Sequence, residues 1–467
     1  MKKGAETELV IQSAAYEGKG FTKLEDRACF VKNSAPGDRI RAKIIRKRRK
    51  FYEATMLELI EKGPERIDPK CRHAEVCGGC SWQHVSYAEQ LRFKREHVRD
   101  HIQRIGGLKE VEPLPTLGCD SQFYYRNKME YTFGERRWLT REEIDSGVPI
   151  KDKDVAVGMH APGRFDRILN LEECHLQEEI SFRIMDFLRN YSLKHDIPAY
   201  SVTKKEGFFR NVMIRSSHHT SDLMVNLVTF EDDPEVMEKV KDALLEQFPE
   251  ITTIVNNIND TWSPSSEGRY ENILHGPGYI TEKIGGYSFK IDANTFFQTN
   301  TPQAEKLYEK AREFARLKED DLVYDLYCGV GSLTLFVSDH VKKAVGIELN
   351  PVSVKNAHQN ADENDVTNCS FETGDMKDVF TQKFVEKYGK PDVIITDPPR
   401  AGMHPDVVKT LNDLAVDRLV YVSCNSATMA RDLQMLQEVY NIDVVQPVDM
   451  FPQTYHIETV AGLSLKK

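Results

Sequence analysis

From about residue 281 the sequence alternates short apolar runs with helical stretches, and this rhythm constrains the fold more than any other feature. Apolar runs joined by helices are typical of the buried parallel strands of a doubly wound sheet. We therefore predict a Rossmann-like α/β domain over residues 281–467. Its candidate strands are 322–326, 343–348, 369–372, 392–396, 418–422, 444–448 and 458–463.

Two of these candidate strands end in reactive side chains. Asp397 follows the run at 392–396, and Cys424 follows the run at 418–422. Because open α/β sheets bind ligands beyond the carboxyl ends of their strands, we expect both residues to face one crevice. A cysteine there is a candidate nucleophile, its pKa lowered by the dipole of the following helix, and a carboxylate is a candidate proton carrier. For an isolated strand-end cysteine, an inert buried thiol is the alternative.

A glycine-containing turn after the first strand predicts a nucleoside site. Gly329 and Gly331 allow a tight turn and a close approach of the backbone to a ligand. Glu348 ends the next strand, where a carboxylate can hydrogen-bond a pair of ribose hydroxyls. The third glycine of a dinucleotide motif is replaced by Thr334, which disfavours a pyrophosphate ligand. S-adenosylmethionine, which has no phosphate, suits this shorter turn better.

Residues 1–62 are predicted to form a small β-barrel with concentrated positive charge. The whole chain is acidic, with 63 basic and 73 acidic residues and a formal net charge of −10. Arg39, Arg41 and Lys43 nevertheless alternate with apolar residues and so share one face of a strand. A barrel with one basic face is a common reader of single-stranded nucleic acid. A merely solvated basic strand and turn is the alternative.

Residues 63–280 mix strand and helix patterns, and we predict an α+β domain that holds a cysteine cluster. Cys71, Cys77 and Cys80 have spacings that let three thiolates converge, and Cys119 or Cys174 could supply a fourth. Four thiolates suit an iron–sulfur cluster or a structural zinc ion, and the spacing does not choose between them. The spacing differs from the pattern associated with radical S-adenosylmethionine enzymes, so a radical mechanism is disfavoured.

Composition excludes several other classes of protein. A hydrophobic content of 40% and a charged content of 29% are typical of a globular protein. No run of 18 apolar residues predicts a membrane span, and the first residues lack an apolar signal core. We therefore expect a cytoplasmic protein without a membrane partner. Nine cysteines, an odd number, fit a metal centre and a catalytic thiol better than a disulfide framework.

Five segments together resemble the bacterial uracil-C5 RNA methyltransferase family. They are Asp325-Leu-Tyr-Cys-Gly-Val-Gly, Gly346-Ile-Glu-Leu-Asn, Asp397-Pro-Pro-Arg-Ala-Gly, Val422-Ser-Cys-Asn and Phe451-Pro-Gln-Thr-Tyr-His-Ile-Glu458. The resemblance implies that Cys424 is the nucleophile and Glu458 the base. It also implies that S-adenosylmethionine contacts four residues, namely Gln298, Tyr327, Glu348 and Asp397.

One branch of that family acts on 23S ribosomal RNA and carries an N-terminal barrel called TRAM and a four-cysteine [4Fe–4S] cluster. Cys71, Cys77, Cys80 and Cys174 match its pattern, whereas the transfer-RNA branch lacks both features. The resemblance therefore implies a 23S ribosomal RNA uracil-5-methyltransferase with RNA as its partner. We predict no protein partner. Transfer RNA as the substrate, or an inactive RNA-binding module, are the alternatives.

Overall fold

The computed structural model describes residues 1–149, 155–164, 166–263 and 266–467. The N-terminal part is one curled sheet in the order β1-β5-β6-β4-β3-β2. Because only two residues separate β1 from β2, which lie at opposite edges, the sheet closes on itself around its apolar core. Its strands are β1 (Glu6–Val10), β2 (Ser13–Ala14), β3 (Gly20–Leu24), β4 (Arg27–Lys32), β5 (Arg39–Lys47) and β6 (Phe51–Glu61).

The basic face of β5 exists, but neighbouring acids neutralise much of it. Buried and exposed residues alternate along the strand, with Ile40, Ala42 and Ile44 inside. Arg39 pairs with Glu61 at 2.5 Å, and Arg41 lies 3.0 Å from Glu58. The remaining positive charge is concentrated at the turn between β5 and β6, a basic turn formed by Arg48, Arg49 and Lys50.

A mixed sheet in the order β13-β12-β11-β10-β7-β8-β9 forms the central part. A long helix, continued by a wider turn over His101–Ile105, precedes this sheet. Two later helices, Glu179–Lys194 and Pro234–Gln247, pack on one face of the sheet. The elements are α1 (Tyr87–Asp100), β7 (Lys128–Gly134), α2 (Arg141–Asp145), β8 (Ala156–His160), β9 (Ile168–Asn170), α3 (Glu179–Lys194), β10 (Phe209–Ser216), β11 (Leu223–Thr229), α4 (Pro234–Gln247), β12 (Thr253–Ile258) and β13 (Tyr270–His275).

A hairpin leads into the C-terminal sheet, whose strand order is β18-β17-β16-β19-β20-β22-β21. All neighbours are parallel except β22, which runs antiparallel to β20 and β21. The elements are β14 (Tyr279–Ile284), β15 (Tyr287–Asp292), α5 (Thr301–Ala315), β16 (Leu322–Leu326), α6 (Ser332–Ser338), β17 (Lys343–Glu348), α7 (Pro351–Glu363), β18 (Cys369–Thr373), α8 (Met376–Val379), α9 (Gln382–Tyr388), β19 (Val393–Thr396), α10 (Pro405–Leu414), β20 (Arg418–Ser423), α11 (Ser426–Leu436), β21 (Tyr440–Val448) and β22 (Glu458–Leu465).

Helices cover both faces of this sheet, as the alternating pattern predicted. Successive residues of β16 point to opposite faces, so Val323 joins one apolar core with α5 to α7, and Tyr324 joins the other with α10 and α11. The end of α1 and the turn after it also enter this second core through Val98 and Ile102. The first helix of residues 63–280, α1, therefore packs on the C-terminal sheet.

Local sequence determines where several of these helices begin. Asp233, Asn300 and Asn350 cap α4, α5 and α7, each accepting a hydrogen bond from a backbone N–H one turn inside the helix. A proline lies in the first turn of each helix, where its missing N–H costs nothing. None of the helices in the described ranges is long and apolar enough to cross a membrane.

Candidate active site

The strand order of the C-terminal sheet reverses between β16 and β19, and this switch opens a crevice at the carboxyl edge. Tyr327, Glu348, Asp397 and Cys424 all lie at the ends of parallel strands on this edge. Since β22 runs the opposite way, its first residue, Glu458, lies at the same edge. The topology therefore brings together residues that are up to 131 positions apart in the chain (327 to 458).

One side of the crevice carries the glycine turn and the Glu348 carboxylate. Gly331 begins α6 in a left-handed conformation (φ 78°), and a Cβ there would lie 3.0 Å from the Phe371 ring. The Glu348 carboxylate accepts hydrogen bonds from the N–H of Gly329 at 3.1 Å and of Asn350 at 2.8 Å. These bonds orient the carboxylate and leave lone pairs for a pair of hydroxyls.

The buried carboxyl of Asp325 lies at the end of β16, next to the glycine turn. Asp325 accepts a hydrogen bond from the Thr334 hydroxyl at 2.5 Å. Burial, opposed by this hydrogen bond and reinforced by the charges of Asp397 and Glu348, raises the pKa of Asp325 to about 7. Asp325 thus ties the end of β16 to α6, which carries the glycine turn.

Tyr327 and Gln298, the two other predicted contacts, both lie in loops that precede helices of the C-terminal part. Tyr327 has a left-handed backbone (φ 69°), and its N–H donates to the Ile347 carbonyl at 2.9 Å. The carbonyl of Gln298 accepts from the Asn127 side chain at 2.9 Å, which joins this loop to the central part. Nearby Phe296 is 73% exposed, so it is available to an RNA base, whereas Phe297 is buried in the core.

Cys424 lies at the other side of the crevice, directly before α11. Asn425 caps that helix, and its side chain donates to the Arg400 carbonyl at 3.0 Å. Thr428 donates to the same carbonyl at 3.2 Å. The loop after β19 is thus tied to the start of α11, and the Arg400 guanidinium lies beside the Cys424 sulfur.

The thiol pKa differs from the sequence expectation, which was wrong in direction. Burial, followed by the charges of Glu458 and Asp397, raises the pKa of Cys424 to about 11, although Arg400 acts the other way. Burial raises the pKa of Asp397 to about 6. Burial also raises the pKa of Glu458 well above its ordinary value, and the charge of Asp397 adds to this rise. Three acids and one guanidinium therefore share one water-poor site, and these acids hold their protons more tightly than they would in water.

Removal of the Arg400 charge is expected to make Cys424 less reactive. In Arg400→Ala the pKa of the thiol rises, and each unit of rise lowers the thiolate fraction about tenfold at a given pH. Alkylation of the Cys424 peptide by iodoacetamide at about pH 8, followed by mass spectrometry, should slow accordingly. Arg400→Lys, which keeps the charge, should react at nearly the unaltered rate, with Cys369 as the internal reference. Equal rates in all three proteins would contradict the pairing.

From the sequence, Arg400 is a candidate phosphate contact or else a solvated or salt-bridged residue, and Tyr16 has no predicted role. Tyr16 lies in the short turn after β2, and its ring packs edge-on against Tyr455 at 5.5 Å and His101 at 5.2 Å. The charges of Arg400 and Cys424 both act on its hydroxyl. The N-terminal barrel therefore borders the crevice. The place of Arg400 in the Asp397-Pro-Pro-Arg segment could have indicated that it lies in the crevice. No motif around Tyr16 indicates its position there.

The four predicted cysteine ligands line one small cavity of about 20 Å³ in the central part. Cys71, Cys77 and Cys80 come from the loop before α1, and Cys174 comes from the loop after β9. Cys119 lies elsewhere, and its thiol donates to the Ser121 carbonyl at 3.1 Å. All nine cysteines are free thiols.

The donor set of this cavity fits a thiolate-bound metal group. Burial raises the pKa of each of the four thiols, and the charges of neighbouring sulfurs add to the rise at Cys71, Cys77 and Cys80. Such an arrangement is costly as free thiolates and is stabilised by bound cations. In the described ranges, however, no group of three or more His, Cys, Asp or Glu side chains is placed so that it could hold a metal ion.

The chain is similar to RNA methyltransferases along nearly its whole length. A family model described as tRNA (uracil-5-)-methyltransferase matches residues 273–467. An uncharacterized RNA methyltransferase from Bacteroides thetaiotaomicron is 43% identical to this chain, over 97% of this chain and 100% of its own length. Another, from Chlorobaculum tepidum, is 41% identical, over 98% of this chain and 96% of its own length. The structure of Pyrococcus abyssi tRNA (uracil-54, C5)-methyltransferase in complex with S-adenosyl-L-homocysteine is 29% identical, covers 98% of this chain and 100% of its own, and has a TM-score of 0.77.

Proposed function

The chain belongs to the family of S-adenosylmethionine-dependent RNA (uracil-5-)-methyltransferases, and from this premise we propose that it methylates C5 of a uridine in 23S ribosomal RNA through a covalent bond from Cys424. The observation that carries the proposal is the crevice in which Cys424, Arg400, Asp397 and Glu458 act on one another. A nucleophile beside a cation, with a buried base within reach, is the equipment that such a reaction needs.

Addition of the Cys424 sulfur activates the ring. C5 of uracil is a poor nucleophile, but when the thiolate forms a bond to C6 the ring electrons move to give an enolate with its negative charge shared between C5 and O4. C5 then forms a bond to the methyl carbon of the sulfonium donor, the bond from that carbon to sulfur breaks, and the sulfur leaves as a neutral thioether. Arg400 favours the thiolate that begins this sequence and the thiolate that leaves at its end.

Glu458 completes the reaction as a general base. After methylation, C5 carries both the new methyl group and its original hydrogen. The Glu458 carboxylate takes that proton, the C–H electrons re-form the C5–C6 double bond, and the C6–sulfur bond breaks to release the Cys424 thiolate. The raised pKa of Glu458 makes it a stronger base than a solvated carboxylate.

We assign Gln298, Tyr327, Glu348 and Asp397 to the S-adenosylmethionine pocket. Glu348 would accept hydrogen bonds from the ribose hydroxyls, because its carboxylate is already oriented by two backbone N–H groups. Asp397 lies between the two halves of the crevice, beside Glu458, where a negative charge favours a cationic donor. A uridine reaches Cys424 only when it is flipped out of its stack or single-stranded.

We assign the four-cysteine cavity to a [4Fe–4S] cluster held by Cys71, Cys77, Cys80 and Cys174. A cluster binds each thiolate to a different iron, which suits sulfurs spread around a cavity, whereas a single zinc ion draws four thiolates to about 2.3 Å. Methylation transfers no net electron, so the cluster would act as a crosslink of the central part. In this scheme residues 1–62 are a TRAM-type RNA-binding barrel, residues 63–280 the cluster domain and residues 281–467 the methyltransferase domain.

Two RNA classes compete for this site. The set of four cysteines together with the barrel favours 23S ribosomal RNA, as the resemblance implies. The likeness to the Pyrococcus abyssi transfer-RNA enzyme favours the second candidate, because that protein covers the barrel and the cysteine segment as well.

The decisive experiment supplies both RNAs to one preparation. Unmodified 23S ribosomal RNA and unmodified transfer RNA are incubated separately with anaerobically purified protein and S-adenosylmethionine, and their nucleosides are analysed by mass spectrometry. 5-Methyluridine in the ribosomal RNA alone is the expected result. Its appearance in transfer RNA alone would overturn the substrate assignment, and its absence from both would overturn the proposed function for free RNA.

Charge reversal at the basic turn is expected to weaken RNA binding without affecting the methyl donor. Replacing Arg48, Arg49 and Lys50 with glutamate removes three cations that lack an ion pair in the described barrel. Each lost phosphate contact should reduce the slope of log K against log salt by about one. The measurement is RNA binding by fluorescence anisotropy at several salt concentrations.

The matched control for this experiment reverses three other exposed lysines and so gives the same net charge. These lysines, which lie on distant helices, are Lys239, Lys383 and Lys409. An equal loss of RNA affinity in both triple variants would show that overall charge, and not the basic turn, is responsible.

A further inference from the structure

Gln453 occupies an unusual position in the loop between β21 and β22. Its backbone is left-handed (φ 68°), a conformation that is costly for a residue with a side chain, and only 2% of it is exposed. Glu458 begins β22 five residues later. A buried, strained residue this close to the candidate base indicates that the surrounding structure holds the loop in one shape.

A reciprocal pair of hydrogen bonds holds Gln453 to α1. The Gln453 N–H donates to the side-chain oxygen of Gln90, and the Gln90 amide nitrogen donates to the side-chain oxygen of Gln453, both at 3.0 Å. Gln90 is fully buried. We call this pair of residues, Gln90 and Gln453, the glutamine clamp.

The carbonyl of Gln453 extends the contacts to the cysteine segment. It accepts hydrogen bonds from the N–H groups of Ser81 at 2.8 Å and Trp82 at 3.0 Å. These two residues directly follow Cys80, one of the four cysteines of the cavity. The Gln90 side chain also donates to the Trp82 carbonyl at 3.1 Å. The clamp therefore contacts the candidate base loop and the cysteine loop at once.

Other hydrogen bonds fix the shape of the cysteine loop and anchor the loop before β22. Gln83 donates to the Cys80 sulfur at 3.2 Å and accepts from the Cys71 N–H at 3.0 Å. Tyr125, whose ring is buried, donates to the Pro452 carbonyl at 3.0 Å. A rearrangement of the cysteines would thus be transmitted to residues 452 and 453 through short, buried contacts.

The start of the loop is held separately, so the clamp controls its second half. Asp449 accepts from Lys94 at 2.5 Å and from Tyr87 at 2.9 Å, and Lys94 and Asp449 are fully buried. Between this anchor and Glu458, the clamp ties the loop to α1 and to the cysteine segment. A hydrogen bond from Lys94 to the Phe451 carbonyl at 3.1 Å and the packing of Tyr455 on the cluster of Trp82 and Phe93 add to this attachment. The ladder pairing of Glu458 with Val448 of β21 also holds the start of β22, so the clamp acts on Glu458 through the segment 453–457 that leads into this strand.

We propose that Gln90 and Gln453 are positioning residues through which the four-cysteine centre fixes the Glu458 carboxylate for proton removal. The role of Glu458 rests on the proposed function. A loosened clamp should slow removal of the C5 proton more than sulfur addition or methyl transfer, because only proton removal uses Glu458. The methylated RNA would then stay bonded to Cys424 for longer.

The test uses Gln90→Ala, with Gln103→Ala as the matched control. Gln103 lies in the turn that continues the same helix, and its side chain donates to Glu112 at 2.9 Å, away from the loop. Backbone hydrogen exchange of residues 449–458 is measured by mass spectrometry, together with kcat, KM for RNA and the fraction of protein in a denaturation-resistant RNA adduct.

In Gln90→Ala we expect faster exchange in residues 449–458, kcat lower by up to about 100-fold and a larger adduct fraction, with little change in KM. Gln103→Ala should match the unaltered protein in all readouts. If Gln90→Ala fails to fold, Gln453→Gly, which tolerates the left-handed backbone but lacks the side chain, replaces it. Unchanged exchange and unchanged kcat in a folded clamp variant would overturn the proposal.

The link to the cysteine centre is tested without RNA. Protein with its metal centre intact is compared with protein oxidised by ferricyanide in the presence of EDTA, and exchange is again measured. Faster exchange in both the cysteine loop and residues 449–458 is expected, whereas faster exchange in the cysteine loop alone would overturn the link. Because this readout needs no methylation, it stands or falls separately from the proposed function.

Discussion

Cys424→Ala is expected to abolish 5-methyluridine formation, with a fall in kcat of more than about 10⁴-fold. Without the sulfur, C6 has no partner, C5 keeps the poor nucleophilicity of free uracil, and neither Glu458 nor Arg400 has a covalent intermediate to act on. Binding of S-adenosylmethionine should persist, because the residues assigned to its pocket lie in other loops and at the ends of other strands. Nucleoside mass spectrometry measures the first quantity, and titration calorimetry measures the second.

A second cysteine variant separates loss of the nucleophile from general damage. Cys369 is a half-buried thiol at the start of β18, on the far edge of the same sheet. Cys369→Ala should keep its turnover and its adduct with RNA. Detectable turnover in Cys424→Ala would exclude the covalent mechanism, and equal losses in the two variants would point to a folding defect.

The C-terminal sheet was predictable because its signals are local. Each buried strand, such as β16 or β20, can be read from a run of five or six mostly apolar residues. The polar residue after such a strand lies at the carboxyl edge of the sheet whatever the strand order. Glu348, Asp397 and Cys424 could therefore be expected at one crevice without any knowledge of strand order.

The pKa of Cys424 was predicted wrongly because it is not a local property. The sequence places the thiol before a helix, which favours a thiolate, but the charges of Asp397 and Glu458, 27 and 34 residues away in the chain, act through space with burial to outweigh this effect. Only the folded crevice shows which charges face the sulfur.

Cross-strand partners were invisible for the same reason. The basic run on β5 could be seen in the sequence, yet Glu58 and Glu61, which neutralise part of it, belong to β6 and are chosen by register. The packing of α1 on the C-terminal sheet likewise depends on tertiary contacts of Val98 and Ile102, since an amphipathic helix does not say which surface covers it.

Glu458→Gln is expected to trap the reaction after methyl transfer. Glutamine keeps the size of the side chain but cannot take the C5 proton, so kcat should fall about 10²- to 10⁴-fold. One methyl group per active site should still be transferred, and the product should remain bonded to Cys424 as a denaturation-resistant adduct. Gel mobility of the protein with labelled RNA, in parallel with nucleoside analysis, measures both.

Asp397→Asn decides which of the two carboxylates is the base. If Asp397 serves the donor pocket, Asp397→Asn should lose affinity for S-adenosylmethionine. The amount of methylated adduct should then fall in proportion to the amount of donor that is bound. An adduct trapped by Asp397→Asn but not by Glu458→Gln would transfer the role of base to Asp397.

The unaltered enzyme should also work better in alkaline solution, because both reacting acids hold their protons tightly. The pKa of Cys424 is raised to about 11 and that of Glu458 is raised well above its ordinary value, so the reactive, deprotonated forms of both gain population as pH rises. We expect kcat to increase from about pH 6 to about pH 9, and the increase that belongs to Glu458 to disappear in Glu458→Gln. Since the two acids and Asp397 lie in one electrostatic neighbourhood, the profile should give apparent pKa values of the group rather than of single residues. A rate that falls between these pH values would contradict the raised pKa values of Cys424 and Glu458. It would also contradict the view that burial holds these two acids in their neutral forms until the substrates bind.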